Sequence, residues 1–513
     1  MILLINPPLV KPCEPPPGIA RLYGTLTAAG VKCSIIDANI EAILHLFAKS
    51  PPDRDRWTMR AVRNRARNLE FVRSVPGYLD LQRYKRAVFD LNRFIGKSAQ
   101  SGGSVRLSLS DYQHSELSTV RATDLLRAAE KYQENPFHDY FSKRICNALE
   151  FHSPDVVGVS LNYLSQALTA FAIIGFIRSR SERVRIVLGG SLVTSWVCKP
   201  GWSNPFSGLV DLIVSGPGEQ ALFDIAGIDA SSRRRRFSYD PFPMRDYFAP
   251  GPILPYSASR GCYWNRCAFC PEKAEGNHYE PVSPEAAARE AGELCSGSHP
   301  ALIHFLDSAI SPALLSKLAA NPPGAPWYGF VRVTKRLADE DFCRALKQSG
   351  CVMLKLGLES GDQGVIDSEG KGIDLCIASR ALASLKKSGI GTYVYLLFGT
   401  PSESVDQARN TLDFTVRHER LIDFLNLAIF NMPVNSPDAQ RLATSAHYEG
   451  DLSLYTGFSH PKGWDRPKVR RFLDSEFRRQ PAIARILSNE PPFFTSNHAP
   501  FFVSPRGEVN LKG

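Results

Sequence analysis

Short apolar runs alternate with helix-periodic stretches twice along the chain, and one long polar interval interrupts the first series. Ile2–Ile5 is a continuous apolar run, as a strand buried on both faces requires, and Pro7 and Pro8 end it. After the rigid entry Pro15-Pro-Pro-Gly18, residues Ile19, Leu22, Tyr23 and Leu26 share one helical face, and Gly30 stops that helix. Lys32–Ile36 is the next strand, closing at Asp37. From about 40 to 150 strand signals vanish while Arg, Leu and polar residues dominate, which predicts a helical insertion with a tip at Ser101-Gly-Gly-Ser104. The alternation then resumes with a strand at Val156–Leu161, a buried helix at Leu164–Arg178, and strands at Arg185–Leu188 and Asp211–Val214. This order predicts a doubly wound, Rossmann-like parallel sheet, which takes its ligand beyond the carboxyl ends of the strands. Those ends carry Pro7, Pro8, Ser160, Gly189, Gly190, Gly216 and Gly218. None of them forms a GxGxxG phosphate loop, so a dinucleotide is not indicated.

The second series has six strand candidates: Tyr256–Ser259, Ala301–Leu306, Trp327–Val333, Val352–Leu358, Thr392–Phe398 and Phe424–Phe430. Helical stretches such as Pro284–Cys295, Asp339–Gln348, Ile373–Lys387 and Ser404–His418 separate them. Six β/α units predict a partial (β/α)6 barrel of the TIM type, with chemistry at the C-terminal strand ends. The chain is therefore expected to be α/β throughout. The expected boundaries are a first domain over 1–232, a proline-rich linker over 233–254, the barrel over 255–435, and a capping region over 436–513 that contacts substrate.

Composition agrees with this division. A chain of 513 residues, 43% hydrophobic, exceeds one compact core and is rich enough to bury several. No apolar stretch approaches the roughly 20 residues of a membrane helix. Met1-Ile-Leu-Leu-Ile-Asn6 has no basic n-region, so a cytoplasmic location with reduced thiols is expected. The net charge is +10, and the twelve basic and five acidic residues between Pro51 and Lys97 account for +7 of it. A second basic run is Arg233–Arg236. Such runs attract nucleic acid or anionic partners. Trp57, Tyr78 and Tyr84 are the few stacking candidates among them, so a solvated helix face is the plainer reading and nucleic acid is not favoured.

The sharpest chemical signal is Ser259-Arg-Gly-Cys262-Tyr-Trp-Asn-Arg-Cys267-Ala-Phe-Cys270, a C-x4-C-x2-C loop after the first barrel strand. A structural zinc site takes four ligands, and only His278 lies near as a fourth. A redox C-x2-C pair has no use for Cys262. An iron–sulfur cluster on three thiolates leaves one iron open, and the local ligand count suits it best. The other cysteines are scattered; Cys33, Cys146, Cys343, Cys351 and Cys376 sit in apolar or helical contexts that predict burial.

The loop resembles the cluster loop of radical S-adenosylmethionine (SAM) enzymes, one residue wider than their commoner C-x3-C-x2-C spacing and with an aromatic, Phe269, before the last cysteine. Leu356-Gly-Leu-Glu-Ser-Gly361 followed by Lys371-Gly372 resembles the family's fourth-strand motif, and Phe398-Gly-Thr-Pro-Ser-Glu403 its fifth. The leading α/β domain is similar to the cobalamin-binding domain of one subgroup. None of the histidines lies in a D-x-H-x-x-G pattern. The resemblance implies that Cys262, Cys267 and Cys270 hold a [4Fe–4S] cluster, whose open iron chelates SAM and whose reduction yields a deoxyadenosyl radical. It further implies contacts to SAM from Asp307 or Ser308, from Glu359 and from the backbone at Gly399, with an ion pair from Glu359 to Lys355 or Lys371 as the structural alternative. His498, in the polar–aromatic segment Ser496-Asn-His498, is a candidate for substrate contact. Pro7, Pro8, Ser160, Gly189, Gly190, Gly216 and Gly218 stand where cobalamin loops would lie. The expected reaction is methylation of an unactivated carbon in a peptide or small metabolite, served by a flavodoxin- or ferredoxin-like electron donor. Radical cyclisation or rearrangement without methyl transfer is the related alternative. An iron–sulfur protein that binds nucleic acid or an anionic partner through the basic insertion is the unrelated one.

Overall fold

The computed structural model describes residues 1–49, 51, 55–98, 103–229, 235–446, 450–492 and 498–503. The chain divides into two compact units, one built on Met1–Gly251 and one beginning at Pro252.

The first unit is a five-stranded parallel sheet: β1 (Ile2–Asn6), β2 (Cys33–Asp37), β3 (Val156–Ser160), β4 (Arg185–Gly189) and β5 (Leu212–Ile213), in the order β2-β1-β3-β4-β5. Ile2 lies opposite Cys33 on one side and Val156 on the other, and every residue of β1 is buried. The order reverses between β1 and β3, which opens a crevice at their carboxyl ends. Helix Leu164–Arg180 is apolar all round and buried from Gln166 through Ile177. It packs closely on helix Ala122–Glu130 because Gly175 has no side chain. A Cβ there would stand 2.0 Å from the Ala129 carbonyl oxygen.

The insertion is mostly helical, with Arg56–Val72 and Leu81–Ser98 as its longest members. One correction is needed: Val105–Leu107 and Tyr112–His114 form an antiparallel hairpin within it. Three-residue strands are too short to show alternation above the polar background. Residues 101 and 102 of the expected tip lie outside the described residues, as do Arg54 and residues 233 and 234 of the second basic run. Two of the basic side chains pair within the insertion, and the net excess of +7 stays uncompensated by its own acids. Arg60 pairs with buried Asp90 at 2.5 Å, Arg93 pairs with Asp55 at 2.6 Å, and Arg60 lies 4.9 Å from the centre of the exposed Trp57 ring.

The second unit carries six parallel strands: β6 (Ile253–Tyr256), β7 (Leu302–Phe305), β8 (Trp327–Val331), β9 (Cys351–Glu359), β10 (Gly391–Phe398) and β11 (Phe424–Ile429), hydrogen-bonded in chain order. The first strand ends where the sequence pattern starts it, at Tyr256. Pro255 fits within it because β6 is an edge strand, which tolerates a residue without an N–H. The helices between strands start at sequence-legible caps. Ser283, Ser311, Asp339, Asp374 and Ser404 each accept an N–H of their helix's first turn, and Ser404 and Gln407 form a capping box.

The region after the barrel, aperiodic in sequence, forms a small antiparallel sheet from Met432–Pro433, Thr444–Ser445 and Tyr455–Phe458, followed by short helices. Cys343 and Cys351 are buried as expected, and Cys33 and Cys146 are half-buried. Cys376 is exposed instead, because it lies in the first turn of helix Leu375–Lys387 on the outer face. No helix among the described residues is long and apolar enough to cross a membrane.

The Gly175 contact gives the first prediction. Gly175→Ala should destabilise the first unit by about 1–3 kcal/mol, the usual range for overpacking, because backbone faces the new methyl. Thermal denaturation should show a lowered midpoint, and an unchanged midpoint would mean the two helices separate freely.

Candidate functional site

The cysteine loop leaves the C-terminal end of β6. Ser259–Arg260 pairs antiparallel with Glu280–Pro281, which folds the loop back on itself. Gly261 sits at φ +69°, where a Cβ would stand 2.4 Å from the His278 carbonyl oxygen, so only glycine suits this turn. Asn265 supplies a second left-handed residue at φ +44°. Cys262, Cys267 and Cys270 are all free thiols, with Cys267 buried and the other two half-buried. Burial pushes the Cys267 thiol up to about 11, against the pull of Lys371 and Arg332. Burial likewise raises Cys270, and the backbone N–H groups of Lys273 and Glu272 oppose it. Among the described residues no three His, Cys, Asp or Glu side chains converge on a single-ion site.

The loop is seated against the turn that follows helix Gln363–Ser368, the first helix after β9. Trp264 Nε1 donates to the Gly370 carbonyl at 2.9 Å, and the Ala268 N–H donates to the Glu369 carbonyl at 2.9 Å. Gly372, at φ +65°, leaves room for the Trp264 ring, which a Cβ there would meet at 2.3 Å. Arg332, one residue beyond β8, lays its guanidinium 3.6 Å from the Trp264 ring centre and donates to the Lys371 carbonyl. Lys371 Nζ pairs with Glu359 Oε1 at 2.8 Å and lies 5.5 Å from the Phe269 ring centre. Of the two ion pairs offered to Glu359 by the sequence, Lys371 makes it; Lys355 reaches His304 Nε2 at 3.0 Å instead. Glu359 itself adopts φ +70°, an unfavourable backbone for a non-glycine residue, at the register shift that ends β9.

Asp307, at the end of β7, is buried, and desolvation raises its pKa. Its oxygens accept from the Ala258 N–H at 3.1 Å and from the Ser259 hydroxyl, so it pins the entry of the cysteine loop. Ser308 donates to Glu272 Oε1 at 2.8 Å, on the short helix after Cys270. Gly399, at φ +81° after β10, lines a cavity of about 200 Å3 together with Phe430, Phe458, His460, Trp464 and Arg466. The Gly399 N–H donates to Glu403 Oε2, which also accepts from Trp464 Nε1 at 2.9 Å. Glu403 is fully buried, and desolvation holds its carboxyl up at about 7.

His498 lies elsewhere. It is buried against Tyr393 and Phe424, near the N-terminal ends of β10 and β11, and its Nε2 meets Glu490 Oε2 at 2.6 Å. The structure thus places it at the opposite end of the strands from the cysteine loop, as packing rather than as part of the mouth. Ser496 and Asn497 of that segment lie outside the described residues.

In the first unit the strand-end residues do come together along one edge. Gln166 Nε2 donates to the Pro7 carbonyl at 2.7 Å and to Asn6 Oδ1 at 3.1 Å, in the turn that contains Pro8. Ser160 Oγ accepts from Asn162, the Gly189 carbonyl accepts the Leu161 N–H, and Gly190 packs on Leu161 at φ +115°. The Gly216 N–H donates to Thr194 Oγ1 at 2.9 Å, and Gly218 precedes helix Glu219–Ala226. Asp37, at the end of β2, is a member the sequence reading passed over. It is buried, accepts from Asn6 and the Tyr247 hydroxyl, and is raised by burial to about 6.

Arg332 and Trp464 were also passed over, and Glu403 was read only as the end of the fifth-strand motif. Arg332 carried a readable signal, a single charge between apolar Val331 and Val333 at a C-terminal strand end. Trp464 carried none, because its partner lies 61 residues away.

Comparison with known proteins adds to this geometry. Residues 256–415 match the radical SAM superfamily model. An uncharacterized methyltransferase of Pyrococcus horikoshii is 25% identical over 325 residues, covering 56% of this chain and 68% of that protein. The cobalamin-dependent SAM radical enzyme OxsB, solved with aqua-cobalamin, has a similar fold at TM-score 0.57 and 13% identity, over 93% of this chain and 67% of that one. The radical SAM methyltransferase TsrM of Kitasatospora setae, solved with cobalamin and a [4Fe–4S] cluster, has a TM-score of 0.54 at 15% identity, over 96% of this chain and 91% of that one.

Glu403 yields a pH prediction. Its folded pKa of about 7 exceeds the ordinary 4.5, so the folded state binds the proton more tightly than the unfolded one. Its contribution to stability is complete below about pH 4.5 and is lost as pH rises through about 7, an effect of about 3 kcal/mol. Glu403→Gln should flatten that part of the stability–pH curve. Denaturant unfolding at several pH values reads the slope, and a mutant slope equal to wild type would remove Glu403 as its source.

Proposed function

Residues 256–415 are a radical SAM domain, and from that premise we propose that the protein is a cobalamin-dependent radical SAM methyltransferase acting on an unactivated carbon of a peptide or small metabolite. The observation that carries this reading is the trio of free thiols in one loop at the C-terminal mouth of a six-stranded parallel sheet.

The donor set fits an iron–sulfur cluster. Each thiolate binds a different iron, so the sulfurs need not converge on one point. Cys262, Cys267 and Cys270 would hold the cluster, with backbone N–H groups on Cys270 and the charges of Lys371 and Arg332 favouring the thiolate at Cys267. When bound, the cluster supplies the single electron that splits SAM, and cobalamin carries the methyl group between a second SAM and the substrate.

The chain's own residues bind and orient. Lys371 keeps ammonium donors for a carboxylate while its partner Glu359 accepts from hydroxyls. Phe430, Phe458 and Trp464 line the cavity beside Gly399 and offer aromatic surface to a purine. Asp307 acts through the loop entry it holds, which leaves Ser308 as the more accessible group for an amine. In the first unit, the crevice at the β1/β3 reversal, with Pro7, Pro8, Ser160, Gly189, Gly190, Gly216 and Gly218 along its edge, offers small residues and backbone to a large planar cofactor. The fold shared with cobalamin-bound OxsB and TsrM supports that assignment. The chain has no D-x-H-x-x-G motif, so the crevice-edge residues are the ones that would hold cobalamin. An external low-potential flavodoxin or ferredoxin would deliver the electrons.

Anaerobically reconstituted protein should contain about four irons and four sulfides per chain. Replacing Cys262, Cys267 and Cys270 together by Ala should reduce that to background, and a full cluster in the triple variant would refute the ligand set. Incubation with cobalamin, methyl-labelled SAM, reductant and host extract should release 5′-deoxyadenosine and label a product. Release of 5′-deoxyadenosine without label in any product, in protein that binds no cobalamin, would remove methyl transfer.

A further inference from the structure

We propose that Arg332 is a positioning residue whose buried charge sets the reduction potential of the cluster held by the cysteine loop. The inference rests on the cluster assignment made above and concerns what this chain adds to it.

Arg332 is 8% exposed. One face of its guanidinium is covered by Trp264 at 3.6 Å, with Tyr263 at 5.9 Å, and one amino group donates to the Lys371 carbonyl. Its Nε is buried with no hydrogen-bond partner. Among the described residues no carboxylate forms a salt bridge with it. A guanidinium is always charged, and one taken out of water without an anion is strongly disfavoured. The site therefore lacks a negative charge that the bound state must bring.

Two features identify the anion. Trp264 and Tyr263, which cover Arg332, are the residues directly after Cys262. The charge of Arg332 is also felt at Cys267, on the far side of the same loop. A dipositive iron–sulfur core on three thiolates is a net anion, and it becomes more negative by one charge when reduced. Lys371 is the other cation nearby, but Glu359 neutralises it at 2.8 Å. Arg332 is the cation of the pair without such a partner, and its aromatic cover keeps water from screening it.

An uncompensated positive charge beside a cluster favours the reduced state. Reduction is a one-electron step in which dithionite or a low-potential flavoprotein gives one electron to the core, and no proton or heavy atom moves at Arg332. Loss of the charge must make the midpoint potential more negative.

The test is an EPR-monitored redox titration of reconstituted, SAM-free protein, with iron and sulfide counted in every sample. Arg332→Gln should keep its cluster yet show the ratio of reduced to oxidised cluster lowered about tenfold at fixed potential, about 59 mV for one electron. Arg332→Lys, which keeps the charge, should restore a ratio close to wild type. A loaded R332Q with the wild-type potential overturns the proposal. If R332Q fails to fold, R332K decides, since a shift of tenfold or more there would show that shape rather than charge matters. Wild-type protein that accepts no cluster at all would overturn the functional reading itself, a result distinct from an unchanged potential in a loaded variant.

Discussion

The seating of Trp264 between Arg332 and the Gly370–Gly372 turn is the contact on which the rest of the site depends. The three thiols of the loop are free, so no covalent bond fixes their spacing. Their positions follow from how the loop lies on its neighbours. The indole hydrogen bond to Gly370, the bare α-carbon of Gly372 and the guanidinium face together leave one place for Trp264. Trp264 occupies the wider interval between Cys262 and Cys267, so the extra residue of that interval is taken up where the aromatic ring is gripped. Gly261 and Asn265, both at positive φ, supply the turns that let it reach there.

The second unit keeps its candidate site and its closing packing at opposite ends of its strands. In the second unit the cysteine loop, Asp307, Glu359 and Gly399 follow carboxyl ends, where loops vary without disturbing the sheet. The amino ends are closed by packing: His498 on Tyr393 and Phe424, and Phe502 against Gly391, where a Cβ would stand 2.5 Å from the ring. In the first unit the carboxyl edge holds a buried polar chain, Gln166 to Asn6 to Asp37 to Tyr247. Such a chain fixes the turns of β1, β2 and β3 relative to one another, because each buried polar atom loses its partner if one turn moves.

The strands and capped helices were legible because each is specified locally. Apolar runs of β1 and β9 and the Ser or Asp before each barrel helix carry their information within a few residues. The hairpin at Val105–Leu107 and the small sheet after β11 were not legible, since two- to four-residue strands are defined by their partners rather than by their own pattern. The site divides the same way. Cys262, Cys267 and Cys270 are adjacent in sequence and announced themselves by spacing. The pairs Arg332–Trp264 and Glu403–Trp464 join residues far apart in the chain, and tertiary placement alone creates them. His498 shows the converse, a histidine in a suggestive sequence context that packing turned into core.

The turn after helix Gln363–Ser368 brings distant segments to one site. Glu369 and Lys371 are two residues apart and serve opposite sides. The Glu369 carboxylate accepts from Ser402, one residue from Glu403, which in turn holds the Gly399 N–H and the Trp464 indole. The Glu369 carbonyl accepts from Ala268, inside the cysteine loop, while Lys371 turns to Glu359 and Cys267. The turn thus links the Gly399 side, where Glu369 and Glu403 lie with Arg466 and Lys462, to the thiol side, where Lys371 pairs with Glu359. From Trp464, the residues Glu403, Ser402, Glu369 and Ala268 form a run of hydrogen bonds and sequence neighbours that reaches the cysteine loop.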